Sequence, residues 1–240
     1  FTTQEEPPRD LAQFRRDREV NSGLWTGMRE IFQSVMGMPR VMMQLGLVQF
    51  FSWFAFFTMW TFATPALTES VFRAPNPEQG ALDFVEASAR FNDAANAVSS
   101  AMGVYGLSSM VFALLLAFYT SRYQINRRLI HAGALAIGGF GFMTMLQLDI
   151  ESSSMLGVCF ACIGITWGSI LSMPYAMLSS SVPSQKMGIY MGIFNIFIVI
   201  PQIVAALGGI NWINDILFDG EVVGSCLLYT SDAADEVDRG

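Results

Sequence analysis

The feature that most constrains this chain is an apolar run from about residue 187 to residue 209 that contains no charged side chain. Residues 183–202, which include most of this run, read PSQKMGIYMGIFNIFIVIPQ. Lys186 lies in a short loop just before the run. At roughly 1.5 Å per residue, a helix of this length crosses the hydrocarbon core of a bilayer. The sequence therefore predicts a transmembrane helix here.

One face of this helix is not apolar. Small and amide residues recur on it at spacings of four, three, four and three. Small residues let a neighbouring helix approach closely, and amides in a membrane need a hydrogen-bonding partner that lipid cannot supply. Pro201 removes a backbone hydrogen bond and predicts a kink. We expect this face to turn toward a bundle interior or an aqueous pathway; it carries Gly188, Gly192, Asn195, Val199 and Gln202.

Composition agrees with a membrane class, since 52% of the residues are hydrophobic and only 14% are charged. Soluble domains have about 25% charged residues. Four further apolar runs lie before the run at 187–209 along the chain. The sequence thus predicts an all-α membrane protein with five transmembrane helices, at 38–68, 93–119, 129–148, 154–178 and 187–209.

The loops between these runs alternate in charge, which predicts an orientation. Basic residues mark the first, third and fifth non-membrane segments, and acidic residues mark the second, fourth and sixth. Because positive charge favours the cytoplasmic side, the amino end is expected in the cytoplasm and the protein in the cell (inner) membrane. The basic groups are the cluster Arg9, Arg15, Arg16 and Arg18, the loop SRYQINRR at 121–128, and Lys186.

The first 37 residues are expected to form a cytoplasmic linker that ends in an amphipathic helix. Between residues 24 and 36, apolar residues recur at helical spacing, with Arg29, Glu30 and Gln33 elsewhere on the wheel. This pattern favours a helix lying on the membrane surface. An ordinary packing helix in a soluble cap is the alternative.

Aromatic and amide residues at mid-span suggest a sugar site. Gln49, Trp53, Phe56 and Trp60 share one face of the first span. Aromatic faces stack on the CH surfaces of a sugar, and amides bond its hydroxyls; aromatic packing or anchoring at the membrane interface is the alternative. The second span carries a polar stripe with Asn92, Asn96, Ser99, Gly103 and Gly106, and the fourth carries Trp167 beside Gly164, Gly168, Ser172 and Tyr175.

Other reactive residue types give weak signals. Cys159 and Cys162 have CxxC spacing but lie in an apolar helix without further ligands, so we interpret them as buried small hydrophobic residues. His131 is expected to be a polar residue at the membrane interface, and Asp93 to reach water or cap a helix. No span holds a nucleophile–base pair or a metal-ligand cluster, and the few basic residues do not suggest nucleic acid.

Three strings resemble a known family. PSQKMGIYMGIFNIFIVIPQ, WGSILSMPYAMLSS and VQFFSWFAFFTMW look like the sucrose-transporter-like branch of the glycoside–pentoside–hexuronide:cation symporters, within the major facilitator superfamily. SRYQINRR resembles a degenerate copy of that superfamily's basic loop, without the Gly and Asp that usually precede its arginines. The resemblance covers roughly 40–220 and implies the carboxyl-terminal half of a major facilitator fold, with the sixth helix missing.

The resemblance implies a sugar:cation symporter in which two six-helix halves rock about a central site. Its partners would be the lipid bilayer, a small sugar and the amino-terminal half of the same polypeptide. No cofactor is expected beyond a coupling H⁺ or Na⁺, whose carboxylate is not evident here. Substrate would be bound by Gln49, Trp53, Trp60, Asn96, Trp167, Asn195 and Gln202, and packing or gating would involve Gly188, Gly192, Pro174, Pro201, Arg122, Arg127 and Arg128.

Two other expectations concern the chain as a whole. Residues 226–236 read CLLYTSDAADE and resemble a translated sequencing adapter, so 226–240 are expected to be a non-native tail and Cys226 no redox residue.

The alternatives to sugar symport are a major facilitator exporter of drugs or metabolites, a non-transporting membrane sensor or scaffold, and, weakest, an integral-membrane enzyme.

Overall fold

The computed structural model describes residues 24–77, 82–145, 147–149, 152–182 and 186–209. In these ranges the secondary structure is helical, without strands. The predictions for the Arg cluster, the loop after residue 209 and the adapter-like tail lie outside the described residues. The helices are α1 (Leu24–Met36), α2 (Arg40–Ser70), α3 (Phe84–Arg122), α4 (Arg127–Met145), α5 (Leu156–Ser179) and α6 (Met187–Val204).

Four helical segments are long and apolar enough to cross a membrane: Arg40–Ser70, Phe84–Arg122, Ser153–Ser179 and Met187–Leu207. They correspond to the first, second, fourth and fifth predicted spans, and an all-α membrane protein is confirmed. The third predicted span forms α4 but is not among the four. Two arginines, a histidine and four glycines dilute the apolarity of α4, so its crossing of the membrane stays a prediction.

The second span differs in detail from its prediction. Helix α3 begins at Phe84, before the predicted start at residue 93, and continues through Asp93 without a break. Asp93 therefore lies inside the helix as an exposed residue and does not cap it. The helix ends at Arg122, where the backbone of Tyr123 becomes extended.

Hydroxyl side chains within the spans donate to their own helix. Thr58 Oγ1 donates to the Phe54 carbonyl at 2.7 Å, and Ser172 Oγ donates to the Gly168 carbonyl at 2.7 Å. Such bonds satisfy polar groups where water is absent. Pro201, where a kink is predicted, and Pro174 both lie inside continuous helix. A π-helical turn at Ala205–Gly209 follows α6.

Two apolar clusters show how the helices alternate. The basic-end cluster joins the starts of α2, α4 and α6 to the ends of α3 and α5, with a buried core of Met42, Leu45, Met173, Met177, Leu178, Val182, Tyr190, Ile193 and Phe194. The acidic-end cluster joins the opposite ends of α2, α3, α4 and α5, with a buried core of Phe56, Met59, Ala63, Leu67, Val71, Val98, Ala101, Leu156, Phe160, Ile163 and Ile170. Successive helices therefore run in opposite directions.

Loop charges follow these two ends. Within the described residues, the basic end carries Arg29, Arg40, Arg122, Arg127, Arg128 and Lys186. The acidic end carries Glu69, Asp83, Glu86, Asp93 and Asp149. Three residues of the described helices and loops depart from the alternation: Arg73 and Arg90 at the acidic end, and Glu30 in α1 at the basic end. The distribution agrees with a bundle whose two ends face different compartments.

Helix α5 is the centre of the described bundle, and its small residues make this possible. It packs against α3 on one side and α4 on the other. A Cβ on Gly168 would lie 2.9 Å from the Ser109 carbonyl oxygen, and one on Gly164 would overlap the Tyr105 carbonyl. On the α4 side, Gly138 faces Thr166. The helix backbones approach closely because these glycines carry no side chain.

Candidate functional site

Buried polar residues form a layer between the two apolar clusters. On α5, Ile170 belongs to the acidic-end cluster and Met173 to the basic-end cluster, with Ser169 beside that boundary. The same boundary falls between Leu45 and Trp53 on α2, between Tyr105 and Leu116 on α3, and between Ile130 and Leu135 on α4. The polar layer, as we call it, consists of Gln49, Ser109, His131, Thr166 and Ser169, all buried.

Three members of the polar layer connect α4 to α5 through two hydrogen bonds. His131 Nδ1 and Ser169 Oγ lie 2.8 Å apart, and Thr166 Oγ1 donates to the Ala134 carbonyl. His131 is only 5% exposed, so it is buried inside the bundle. The hydrogen bond with the Ser169 hydroxyl offsets part of the cost of burying the ring. Its position at the membrane interface stays a prediction.

Gln49 is the deepest polar residue of α2. It has no exposed surface, and neither its Nε2 nor its Oε1 has a hydrogen-bond partner among the described residues. Tyr105 Oη on α3 is also buried, with the Trp60 side chain within hydrogen-bonding reach. Trp53 Nε1, one turn beyond Gln49 on the same face, is buried without a partner in that part of the chain. Donors and acceptors buried in this way cost about 1–3 kcal/mol each. They are therefore suited to a polar ligand.

Three of the predicted site residues meet in one aromatic cluster. The Trp53 and Trp167 rings are 5.1 Å apart, the Trp60 and Trp167 rings 4.8 Å, and the Trp53 and Trp60 rings 6.2 Å, all edge to face. Phe56 lies 5.0 Å from Trp167 and completes what we call the tryptophan cluster. The structure thus joins the aromatic face of α2 to Trp167 of α5.

Tyr105 is a member of this site that the sequence interpretation missed. Its ring lies 6.3 Å from that of Phe56. A signal was available, since it is the one tyrosine at mid-length of α3, far from the membrane boundary where tyrosines are common. Gly103 of the polar stripe, two positions before Tyr105, lies on nearly the opposite side of the helix.

Asn195 lies apart from the tryptophan cluster, at the basic end. Tyr175 Oη donates to Asn195 Oδ1 at 2.9 Å, and the Tyr175 ring packs at 5.5 Å on Phe194. Tyr175 is eight residues beyond Trp167 on α5, or about 12 Å along the helix. The pair links α5 to α6 and is partly open to the surroundings of the bundle.

The polar stripes of α3 and α6 face away from the described bundle. The α3 residues Asn92, Asn96, Ser99, Gly103 and Gly106 are all exposed. On α6, Gly188, Gly192, Asn195 and Val199 are exposed and Gln202 is half-buried. The interpretation that the α6 stripe lines the interior of the bundle is therefore wrong for the described helices. An aqueous pathway remains the prediction.

Gly188 and Gly192 do not allow close packing among the described residues, since a Cβ on either would meet no atom within 4 Å. The glycine of the α2–α6 contact is instead Gly46, where a Cβ would lie 2.8 Å from the Phe197 ring. Helix α6 buries the opposite face, through Tyr190, Phe194 and Ile198.

The basic loop has defined contacts at the basic end. Arg127 Nη1 donates to the Ala176 carbonyl at 2.8 Å, in the last turn of α5. A cation at this position satisfies a carbonyl that lacks a helical donor and complements the helix dipole. The Arg122 guanidinium carbon lies 5.3 Å from the Phe118 ring centroid, and Arg128 is exposed. The gating role of these arginines stays a prediction.

Other reactive groups are placed as follows. Cys159 is buried and Cys162 half-buried, both as free thiols. Among the described residues, no group of three or more His, Cys, Asp or Glu could hold a metal. Asp93 borders an open cavity of about 460 Å³ at the acidic end, lined by Phe72, Arg73, Ala74, Arg90 and Ala94 as well.

Helices of this length and apolarity, arranged in alternating directions, define a multi-pass membrane protein. The sequence model of the Major Facilitator Superfamily matches residues 1–206. The chain therefore belongs to the Major Facilitator Superfamily, a family of membrane transporters. Neither the search of curated proteins nor the search of solved structures gave a match.

Proposed function

We propose that the chain is part of a sugar:cation symporter that works by alternating access, with a glycoside such as a disaccharide as substrate. The observation that supports this best is the tryptophan cluster bordered by unpartnered polar atoms. Trp53 and Trp167 offer ring faces, and Gln49 and Tyr105 offer hydrogen-bonding groups. A sugar needs both, because its ring has apolar CH faces and polar hydroxyls.

In the described arrangement the tryptophan rings cover one another, so a sugar would replace ring–ring contacts. Each edge-to-face contact is worth about 0.5–1.5 kcal/mol beyond burial. Stacking on the sugar and hydrogen bonds to Gln49 would offset that loss. Trp60, 38% exposed, is the ring with the easiest path outward.

We assign the described helices to one half of the transporter, the carboxyl-terminal half, with the amino end in the cytoplasm and the chain in the cell (inner) membrane. The support is the up-and-down order of the helices and the basic end shared by Arg40, Arg127 and Lys186. Helix α2 packs against both α3 and α6. The exposed stripes of those two helices would face the pathway or the other half, through Asn96, Asn195 and Gln202.

The coupling cation would be H⁺ or Na⁺. The acidic residues of the described spans lie near the helix ends, as with Asp93, and not at mid-span. A carboxylate in the other half would then carry the coupling, while this half would supply the sugar-stacking wall. The kinks expected at Pro174 and Pro201 would let α5 and α6 bend between the two access states.

Counterflow of labelled disaccharides in proteoliposomes, with the intact transporter, tests the proposal. Trp53→Ala, Trp167→Ala and Gln49→Ala are expected to lower sugar exchange about tenfold or more, the equivalent of one lost contact of about 1.4 kcal/mol. Phe51→Ala is the matched control, because Phe51 lies on α2 and is 63% exposed away from the site.

Other outcomes would identify a different function. Exchange of apolar compounds but not sugars, with Gln49→Ala tolerated, would indicate an exporter. Saturable sugar binding without exchange would indicate a sensor or scaffold. Sugar exchange that survives all three substitutions would show that the tryptophan cluster is only a packing feature.

A further inference from the structure

Helix α1 has an apolar face that the described bundle does not cover. It has 13 residues, or about 20 Å of helix, which is too short to cross a bilayer. Trp25 is 83% exposed, Phe32 67% and Met36 75%. These positions recur at helical spacing and form one continuous face with Met28, Ile31 and Val35, which are also exposed.

The side of α1 that contacts the protein is the small and polar one. Ser34 is buried, Gly27 is half-buried, and the helix packs against α6. This is the reverse of a helix on a water-soluble protein, which buries its apolar stripe and exposes its polar face. An apolar face of this size turned outward requires an apolar neighbour.

The connection to α2 places this face at the membrane boundary. Gly37 N donates to Gln33 O at 2.9 Å and Met42 N donates to Pro39 O at 2.9 Å, so a short ordered turn joins the two helices. Because α2 is a membrane-capable helix that begins at Arg40, the end of α1 lies at the level where α2 enters the bilayer. The outward apolar line of α2 starts there, with Met43, Leu47 and Phe51.

The charges around α1 complement an anionic surface. Arg29, exposed, is four residues from Trp25 and borders the apolar face. Glu30, the one acidic residue of α1, is one position further along and so about 100° further round the helix, away from that face. Arg40 and Lys186 are exposed at the starts of α2 and α6, the helices nearest to α1. Basic residues beside an apolar helix face are the pattern that binds anionic phospholipids.

We propose that α1 lies in the plane of the membrane at the basic end and binds anionic phospholipids. Its apolar face contacts the acyl chains through Trp25, Phe32 and Met36. Arg29, with Arg40 and Lys186 nearby, contacts the headgroups. This surface is independent of the solute that the protein carries.

Two single-cysteine variants of the intact transporter, labelled with an environment-sensitive fluorophore on a background without other cysteines, test the placement. Phe32→Cys reports the apolar face, and Gln33→Cys is the matched control, because Gln33 is also exposed but points about 100° away. In phosphatidylcholine vesicles with phosphatidylglycerol, the label at 32 is expected to be quenched by a shallow spin-labelled lipid and protected from iodide. The label at 33 is expected to show the reverse.

Either alternative result overturns the placement. Iodide quenching at 32 equal to that at 33 would put the face in water. Protection from both quenchers at 32 would mean that protein covers it, either the rest of the transporter or a second copy.

The charge component has its own test. Lipid quenching at 32 is expected to fall at least twofold when phosphatidylglycerol is omitted, and Arg29→Gln is expected to remove most of that dependence. Gln33→Lys is the control for Arg29→Gln, because it changes the charge of α1 by one unit at a position away from the apolar face. Quenching at 32 that is the same in neutral vesicles would overturn the preference for anionic lipid.

Discussion

Helices α5 and α6 carry the same sequence features and are used in opposite ways. Each has glycines on one helix face and a proline in its second half. On α5, Gly164 and Gly168 lie against the backbone of α3. On α6, Gly188 and Gly192 face open space within the described bundle. The comparison shows that regular glycine spacing predicts a helix face without large side chains, but does not predict whether another helix packs against that face.

The difference follows from position in the bundle. Half of the most apolar stretch of α5 is buried, compared with a third of that of α6. Helix α5 has a neighbour on both sides, whereas α6 packs mainly against α2 through its larger residues. The glycine face of α5 therefore contributes to stability, whereas that of α6 has no neighbour among the described residues.

The largest expected effect is at Gly164. Gly164→Val places two methyl groups against the Tyr105 carbonyl and the Ser108 hydroxyl, which belong to a helix that cannot move without losing its other contacts. We expect a loss of about 1–3 kcal/mol from overpacking. It is measured as a lower unfolding temperature of the intact transporter in detergent micelles.

Gly192→Val is the matched control and is expected to change stability by about 0.5 kcal/mol or less, as at an open surface. Equal losses for the two variants would mean that the α6 stripe is packed in the intact transporter. The comparison between α5 and α6 would then fail.

The next effect concerns the polar connection of α5. Ser169→Ala leaves His131 Nδ1 without its partner inside the bundle. Because the ring stays buried, we expect a loss of about 1–3 kcal/mol. Ser172→Ala is the control, since its hydroxyl bonds only within its own helix. If Ser172→Ala lowers the free energy of unfolding as much as Ser169→Ala does, the His131–Ser169 hydrogen bond does not contribute more to stability than a hydrogen bond within one helix.

A change of opposite sign is expected on α6. Gly192→Ala improves helix propensity and meets no neighbour, so we expect a gain of up to about 1 kcal/mol. Gly168→Ala is the paired variant on α5, where the added methyl meets the Ser109 carbonyl and should lower stability. Thermal unfolding of both variants is expected to show a higher unfolding temperature for Gly192→Ala and a lower one for Gly168→Ala. A lower unfolding temperature for Gly192→Ala would contradict the absence of a neighbour at Gly192.

The smallest effect is expected at the link between the two helices. Tyr175→Phe removes the hydrogen bond to Asn195 Oδ1, but Asn195 is exposed, so the amide is not left buried inside the bundle. We expect a loss of about 0.5 kcal/mol. A double-mutant cycle with Asn195→Ala measures the coupling, and a value well above 1 kcal/mol would show that the pair is shielded from water.

Much of the fold could be predicted because it depends on local chemistry. Long uncharged runs can only satisfy their backbone in lipid as helices, so α2, α3, α5 and α6 follow from composition and length. The contact between the tryptophans of α2 and Trp167 could only be suggested, since stacking depends on the distance between two helices. Tyr105 and the burial of His131 were missed for the same reason: each depends on a neighbour far away in the chain.

From its order of amino acids alone, this chain is a bundle of membrane helices with a basic and an acidic end, because length, apolarity and charge act within each segment. The packing of helices decided which glycine face is covered, which amide is buried and which aromatic rings meet. A face of glycines has the same local free energy whether it meets a helix or stays open. The glycine faces of α5 and α6 differ because α3 packs on that of α5, whereas no described helix packs on that of α6.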